Sequence, residues 1–431
     1  MSHTPDIDLQ IPTLGERTVL SPLSLSTQPD DCIADFTRAK ARVLYDRTPT
    51  QPDQLSFELA GPRKYNFFEN TKVVAGIVTC GGLCPGLNNV VRDLVLTLWH
   101  LYEVRHIFGF RYGFRGIAPH SPDPPVLLDP AYVRTIHHEG GTVLGSSRGP
   151  QDVPAMVDNL ERLGVNALFV VGGDGGMRGA TALFDEITRR NLPVAVVGVP
   201  KTIDNDLPYI ERTFGFETAV TVACQAIRAA TIEATGAPRG VGLVRLMGRN
   251  AGFIAASSVL ASREADLVLV PELAFELQGA GGLFAWLRGH LAESGSAVIV
   301  VAEGAGQTLF PEHELKDASG NSQLGDIGVF LRDAIKKEFA KEELNLKYID
   351  PSYLIRAAPA NPGDTLFCGR LAEDAVHAAM AGKTGLVVGL WMNRFTYVPL
   401  HTVTSTTKRI DLDSMFWRSV VDCTGQPPLL R

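Results

Sequence analysis

A short β-branched run, a glycine-rich turn and an amphipathic helix follow one another repeatedly along this chain from about residue 72 onward. The clearest case is Ala167–Val171, which leads into Gly172–Gly176 and then into a stretch with apolar residues at helical spacing. Val73–Val78 and Val194–Val199 begin two further stretches of this kind. Strands that alternate with helices of this length predict parallel sheets covered by helices on both faces. We therefore expect an α/β protein.

Length, charge and cysteine content narrow the class of protein further. At 431 residues the chain is longer than one hydrophobic core usually holds, so we expect two lobes. A net charge of -7 argues against nonspecific nucleic-acid binding, which needs a basic surface. No apolar run approaches the roughly 20 residues that span a bilayer, and the first residues lack a secretory signal pattern. Six cysteines do not make a disulfide framework in a chain of this length. We expect a cytoplasmic protein with no membrane or nucleic-acid partner.

Residues 1–70 differ from the body of the chain. Pro, Ser, Thr, Asp and Gln dominate there, and the pattern predicts only a short helix near Ile33–Leu44. We interpret this stretch as an N-terminal extension that wraps the body or contacts another subunit, with a disordered segment as the alternative.

The turn Gly172–Gly176 has the composition of a phosphate-binding loop. Glycines let the backbone approach a phosphate chain closely, and the helix that follows adds its positive N-terminal end. A carboxylate in such a loop repels phosphate unless a divalent cation lies between them, so Asp174 is a candidate magnesium ligand. The alternative is a tight strand-to-helix turn with a capping Asp.

Polar and charged side chains also follow other predicted strands. In the loop Lys201–Asp206, Asp204 can accept a proton from a sugar hydroxyl that attacks phosphorus, and Asp206 can support the metal; a helix cap or turn is the alternative. The glycine-flanked Arg148 and Arg249 can bind phosphoryl oxygens or form surface salt bridges. Glu303 can hydrogen-bond sugar hydroxyls or act as an exposed cap.

The order of the motifs carries more information than any one of them. They are Gly81-Gly82-x-x-Pro85-Gly86, Gly172-Gly173-Asp174-Gly175, Pro200-Lys201-Thr202-Ile203-Asp204-Asn205-Asp206 and Met247-Gly248-Arg249. On these motifs the chain resembles the phosphofructokinase family from about Lys72 to Arg394. The resemblance implies two Rossmann-like lobes with mainly parallel sheets covered by helices, an active site in the cleft between them, and a homodimer or homotetramer.

The resemblance also implies roles for individual residues. The nucleotide-phosphate cradle matches Gly82, Arg148, Gly149, Gly173, Asp174, Gly175 and Gly176, with Asp174 at the magnesium position. Asp204 matches the base that activates the 1-hydroxyl of fructose 6-phosphate, and Thr202 and Arg249 match groups around the transferring phosphoryl. The positions that bind the sugar phosphate in the family correspond to Thr202, Ile203, Asp204, Met247, Gly248, Arg249, Glu303, Tyr353 and Arg356. The last two correspond to the positions that bind its 6-phosphate.

Two positions bear on the phosphoryl donor. Pyrophosphate-using members of the family resemble this chain at Lys201 but carry Asp where this chain has Gly175. A carboxylate there would occupy the space of the nucleotide α-phosphate, which Gly175 leaves open. The combination looks like the longer-chain ATP-dependent branch of plants and trypanosomatids.

The expected enzyme is therefore an ATP-dependent 6-phosphofructokinase that uses magnesium. The alternatives are a pyrophosphate-dependent phosphotransferase and a catalytically silent sugar-phosphate sensor or regulatory subunit. The expected organisation is an extension (1–70), a nucleotide-binding lobe (71–214, completed by 361–395), a sugar-phosphate-binding lobe (215–360) and a C-terminal tail (396–431). A subunit-crossing arginine of the short bacterial enzymes aligns with Gly240, and Arg239 lies beside it.

Overall fold

The computed structural model describes residues 8–28, 30–45, 55–119, 121–149, 151–311, 323–428 and 430. Its strands are β1 (Val19–Leu20), β2 (Arg42–Leu44), β3 (Ser56–Leu59), β4 (Tyr65–Asn66), β5 (Val74–Thr79), β6 (His106–Phe110), β7 (Val126–Leu127), β8 (Ala167–Gly172), β9 (Ala195–Pro200), β10 (Gly240–Leu246), β11 (Leu267–Leu269), β12 (Ser296–Ala302), β13 (Asn345–Ile349), β14 (Leu386–Trp391) and β15 (Arg394–Pro399). Its α-helices are α1 (Leu87–Leu96), α2 (Val153–Arg162), α3 (Asp174–Arg189), α4 (Phe216–Thr235), α5 (Phe253–Ser262), α6 (Leu283–Ser294), α7 (Ile327–Glu338), α8 (Ser352–Ala357), α9 (Pro362–Met380), α10 (Leu400–Val403) and α11 (Met415–Thr424).

The described residues form two compact units. The first takes in the chain up to Thr202, Leu207–Gly215 and Ala358–Thr406, and the second takes in Ile203–Asp206, Phe216–Ala357 and the chain from Thr407. The region expected to be a C-terminal tail is divided between the two units, because β15 and α10 belong to the first and α11 to the second. No helix in the described part of the chain is long and apolar enough to cross a membrane.

The first unit is built on a nine-stranded sheet in the order β2-β3-β15-β14-β9-β8-β5-β6-β7. The central strands β14, β9, β8, β5 and β6 run parallel, as the alternation of strands and helices along the chain predicts. Leu168, Val170, Val196 and Val387 are fully buried members of one core cluster on this sheet. The parallel arrangement brings the loops after β5, β8 and β9 to one edge of the sheet.

The N-terminal extension supplies strands to this first unit. β3 pairs antiparallel with β15, and β2 pairs antiparallel with β3, so the extension lengthens the sheet at one edge. The helix expected near Ile33–Leu44 is therefore wrong: Arg42–Leu44 is a strand whose backbone pairs with Ser56–Leu59. Of the alternatives for residues 1–70, the described part packs on the body, and Met1–Ile7 and Asp46–Gln54 lie outside the described residues.

The second unit contains a four-stranded parallel sheet in the order β11-β12-β10-β13. Val241, Leu243, Ile299 and Val301 are buried at its centre. The loops after β10, β12 and β13 leave the sheet at its carboxyl edge, where parallel α/β sheets place their ligands.

Candidate active site

The glycine-rich loop after β5 lies beside two basic side chains. The Nζ of Lys201 donates a hydrogen bond to the carbonyl oxygen of Gly82 at 2.9 Å. A Cβ at Gly82 would lie 3.5 Å from the Nη2 of Arg148, so this guanidinium is next to the loop. Gly81 has φ +86°, a conformation that glycine adopts without strain. The structure thus brings Gly82, Arg148 and Lys201 together at one edge of the first sheet.

The segment that carries Arg148 is fastened to the same loop. Thr79, the last residue of β5, donates its hydroxyl to the carbonyl of Gly145 at 2.8 Å, and the Ser146 hydroxyl donates to the carbonyl of Gly81. Gly149 follows Arg148 with φ +108°, and no described atom lies within 4 Å of a Cβ placed there. Sequence reasoning missed Ser146, although its position between Gly145 and Arg148 is a signal for a loop contact.

The turn after β8 is closely packed at its start and open further on. A Cβ at Gly173 would lie 2.9 Å from the carbonyl oxygen of Lys201, and one at Gly172 would lie 2.9 Å from the Cα of Gly176. At Gly175, by contrast, a Cβ would meet no described atom within 4 Å. Glycine is therefore required by packing at Gly172 and Gly173, whereas packing within the protein does not require it at Gly175.

Asp174 is the first residue of α3, so its carboxylate lies in the turn where the helix presents unpaired N–H groups. It forms an ion pair with Arg178, one helical turn later. Sequence reasoning missed Arg178, although the spacing of four residues on a helix is the signal for such a pair. Arg178 adds a positive charge to the start of α3.

The loop after β9 contains residues that are assigned to different units. Its Lys201 backbone N–H donates to the carbonyl of Gly172 at 2.8 Å, and its Thr202 carbonyl accepts from the Thr213 hydroxyl at 2.5 Å. The division into units falls after Thr202, so that Asp204 belongs to the second unit and is partly buried there. The carbonyl of Asp206 accepts from the backbone of Lys408 at 2.8 Å.

In the second unit the loops after β10 and β12 are joined by backbone hydrogen bonds. The Glu303 N–H donates to Leu246 at 2.9 Å, and the Gly304 N–H donates to Gly248 at 3.0 Å. Gly248 has φ +131°, and a Cβ there would lie 2.6 Å from the carbonyl oxygen of Ala251. The structure therefore holds Met247-Gly248-Arg249 next to Glu303.

Arg245, near the end of β10, connects two of these loops and was missed by sequence reasoning. Its guanidinium lies 3.0 Å from Glu303 and 2.8 Å from Asp350, the residue that follows β13. Burial opposes the charge of Arg245, but Glu303, Asp350 and Asp326 outweigh it, so the pKa of Arg245 lies above its usual value.

The short helix α8 carries the two residues matched to a sugar 6-phosphate. Arg356 lies beside the motif after β10, with its Nε 3.4 Å from the Sδ of Met247. Tyr353 is 84% exposed. Arg239 forms an ion pair with Glu342 of its own chain at 2.9 Å, at the amino end of β10 and therefore away from Met247.

Comparison with known proteins decides the family. The family described as "Phosphofructokinase" matches residues 74–379. The chain belongs to the phosphofructokinase family. The match spans the loops after β5, β8, β9, β10 and β12, that is, every glycine-rich or charged loop described above.

Relatives within the phosphofructokinase family are similar over most of the chain. The ATP-dependent 6-phosphofructokinase of Amycolatopsis methanolica is 47% identical and covers 97% of this chain and 95% of its own. ATP-dependent 6-phosphofructokinase 1 of Arabidopsis thaliana is 48% identical, covering 89% and 82%. The Trypanosoma brucei brucei ATP-dependent 6-phosphofructokinase is 48% identical, covering 87% and 78%. The resemblance to the plant and trypanosomatid branch is thus confirmed.

A solved structure confirms the phosphofructokinase fold. The pyrophosphate-dependent phosphofructokinase of Marinobacter aquaeolei superposes with a TM-score of 0.67 at 20% identity, covering 81% of this chain and 91% of its own. Similarity at this level shows the fold.

Proposed function

We propose that this protein is an ATP-dependent 6-phosphofructokinase, which transfers the γ-phosphoryl group of ATP to the 1-hydroxyl of fructose 6-phosphate and releases fructose 1,6-bisphosphate and ADP. The observation that carries the choice of donor is the open position at Gly175, where an added Cβ meets no described atom within 4 Å. The ATP-dependent relatives at 47% and 48% identity support the same donor.

The first unit holds the nucleotide phosphates in this proposal. Backbone N–H groups of Gly173–Gly176 and of Gly82 donate to phosphate oxygens, and Arg148 and Arg178 offset their charge. Lys201 already donates to Gly82 at 2.9 Å, and in this way it fixes the shape of the loop as well as adding charge.

Magnesium fits the start of α3. Among the described residues no group of three or more His, Cys, Asp or Glu side chains is arranged to hold a metal ion. Magnesium with nucleotides needs only one or two protein carboxylates, because the phosphates supply other ligands. The Asp174 carboxylate, 30% exposed in the first turn of α3, has the donor type and accessibility for this role. Bound magnesium would neutralise charge on the donor phosphates; Asp206 would support it indirectly.

The acceptor sugar binds to residues of the second unit in this proposal. Glu303 accepts hydrogen bonds from sugar hydroxyls, Met247 and Gly248 line the ring, and Tyr353 and Arg356 bind the 6-phosphate. Asp204 takes the proton of the 1-hydroxyl as that oxygen attacks phosphorus, with Ile203 beside it. Arg249, together with Thr202, stabilises the negative charge on the transferring phosphoryl group.

A donor assay tests the function. Purified protein is supplied with fructose 6-phosphate and with ATP or pyrophosphate at matched free magnesium, and fructose 1,6-bisphosphate is quantified. We expect product with ATP and at least about 10²-fold less with pyrophosphate. Equal or faster turnover with pyrophosphate would show that the protein is a pyrophosphate-dependent phosphotransferase instead. Binding of fructose 6-phosphate without product from either donor would make it the sensor.

We also propose that the enzyme is a homodimer or homotetramer, because it resembles family members that assemble in this way. We further propose that it acts in the cytoplasm. Size-exclusion chromatography with light scattering tests the assembly, and a molar mass of one chain would contradict it.

A further inference from the structure

Four aromatic side chains of the first unit form one cluster. The ring of Tyr45 stacks on that of Trp391 with centroids 5.3 Å apart and planes 8° apart. Tyr209 lies with its ring centroid 6.1 Å from Tyr45 and 6.4 Å from Phe57, and Phe57 lies 5.4 Å from Trp391. Each ring therefore contacts at least two others, an arrangement that adds to the burial of apolar surface. We call these four residues the aromatic clamp.

The members of the aromatic clamp come from distant parts of the chain. Tyr45 and Phe57 belong to the N-terminal extension, and Trp391 is the last residue of β14, an interior strand of the nine-stranded sheet. The indole Nε1 of Trp391 donates to the Tyr45 carbonyl at 3.1 Å, which fixes the backbone of the extension as well as the ring. Phe57 is fully buried. The extension is thus anchored to the body at this point.

Tyr209, the fourth member, lies three residues after the loop of Asp204 and Asp206. Its backbone has φ +60°, a left-handed conformation that is unfavourable for a non-glycine residue. The rings of Tyr45 and Phe57 lie against the Tyr209 side chain, which also packs on the buried core of the first unit. The clamp therefore contacts a residue with an unfavourable backbone conformation.

Segment Leu207–Gly215, which contains Tyr209, is fastened back to the start of the same loop. The Thr213 hydroxyl donates to the Thr202 carbonyl, and Lys201 forms a β-bridge with Phe214. The Met392 N–H, next to Trp391, donates to the Glu211 carboxylate at 2.8 Å. The segment whose Tyr209 the clamp contacts is therefore bonded to Lys201 and Thr202, which precede Ile203 in the chain, and it follows Asp206 directly in sequence.

We propose that Tyr45 and Phe57 of the N-terminal extension are positioning residues for phosphoryl transfer: by packing on Tyr209 they hold Thr202 and Asp204 in reactive geometry. This inference rests on the proposed function and gives the extension a part in the reaction itself. An offset of about 1 Å in such a loop can cost up to about 10²-fold in rate.

The test compares Tyr45→Ala and Tyr45→Phe with the unmodified enzyme. We expect Tyr45→Ala to lower kcat about 10-fold while the KM for ATP stays within about twofold, because Gly173–Gly176 are untouched. Tyr45→Phe keeps the ring that stacks on Trp391, so its kcat should equal that of the unmodified enzyme. Tyr45→Leu keeps apolar volume without the stack, so it replaces Tyr45→Ala if that variant does not fold. Tyr65→Ala is the control, since Tyr65 is an exposed aromatic residue of the extension in β4.

Backbone hydrogen exchange of residues 203–213 separates this inference from the proposed function. We expect exchange there to be about 10-fold faster in Tyr45→Ala and unchanged in Tyr65→Ala and Tyr45→Phe. Unchanged exchange together with unchanged kcat would overturn the inference. If the unmodified protein forms no fructose 1,6-bisphosphate, the proposed function fails, and exchange alone decides whether the clamp fixes the loop.

Discussion

The Nη2 of Arg245 lies 3.0 Å from the Oε2 of Glu303, and the same guanidinium lies 2.8 Å from Asp350. Glu303 follows β12 and Asp350 follows β13, so one side chain of β10 ties together loops from both neighbouring strands. Asp350 in turn accepts a hydrogen bond from the backbone of Ser352, the first residue of α8, at 2.9 Å. Arg245 thus links the proposed sugar-hydroxyl ligand to the helix that carries Arg356.

We expect Arg245→Met to raise the KM for fructose 6-phosphate about 10-fold, equivalent to about 1.4 kcal/mol of binding free energy. The substitution leaves Glu303 and Asp350 without the cation that both contact, so both loops can shift. The KM for ATP should stay within about twofold. Steady-state kinetics with each substrate varied in turn measure the two constants. Arg245→Lys serves as the comparison, and its KM for fructose 6-phosphate should lie between those of Arg245→Met and the unmodified protein. An equal rise in the KM values for ATP and fructose 6-phosphate would contradict the role of Arg245 in sugar binding.

Asp204→Asn should lower kcat by about 10²-fold or more, the range for a lost general base. The amide has nearly the same shape as the carboxylate but does not accept the proton of the 1-hydroxyl. Since fructose 6-phosphate contacts several other residues in the proposal, its binding, measured by calorimetry, should change less than about threefold. Near-normal turnover with intact sugar binding would remove Asp204 from the mechanism.

Local sequence pattern predicts the part of the fold that depends on local structure. The strands before the loops of Gly82, Gly175 and Asp204 lie within one residue of their predicted places, because each is a buried β-branched run. The strand at Arg42–Leu44 was mistaken for part of a helix, because its environment is set by β3 and, through β3, by Thr396 and Tyr397 more than 300 positions later. No local signal encodes that pairing.

The same distinction applies to the candidate site. The loops that carry the candidate glycines and carboxylates were predictable, since each follows a strand that the local pattern indicates. Arg245 was not, because its partners Glu303 and Asp350 are 58 and 105 positions away in sequence. The aromatic clamp was missed for the same reason, since Tyr45 and Trp391 are 346 positions apart in sequence.

We expect Gly175→Asp to lower kcat/KM for ATP by at least about 10-fold, equivalent to about 1.4 kcal/mol, with the fold preserved. The Cβ of the new side chain meets no described atom within 4 Å, and its carboxylate opposes the phosphates of ATP. An acid in the first turn of α3 is compatible with the helix. Gly175→Ala is the control and should keep ATP kinetics within about twofold. Unchanged ATP kinetics in Gly175→Asp would separate this position from donor choice.

Asp374→Asn tests a pH dependence of stability. Burial raises the pKa of Asp374 to about 7, so between about pH 4 and 7 the folded protein binds a proton that the unfolded chain has released. This contribution makes stability fall as pH rises. His377 acts in the opposite direction, because burial lowers its pKa to about 3. Between about pH 3 and 6.5 the unfolded chain therefore binds a proton that the folded protein does not, and the contribution of His377 to the free energy of unfolding rises with pH.

The two opposed contributions offset each other in the unmodified protein. Asp374→Asn removes the contribution of Asp374, which lowers the free energy of unfolding as pH rises. The free energy of unfolding of the variant, relative to that of the unmodified protein, should therefore increase from about pH 4 to 7 and then stay level. The slope should reach at most about 1.4 kcal/mol per pH unit. Denaturant midpoints of both proteins at about pH 4.5, 5.5, 6.5 and 7.5 measure this slope, because these pH values span the roughly 3-unit window between the unfolded and folded pKa values of Asp374. Glu161→Gln, at an exposed position of α2, is the matched control. A constant difference between variant and unmodified protein across this range would show that Asp374 is ionised throughout.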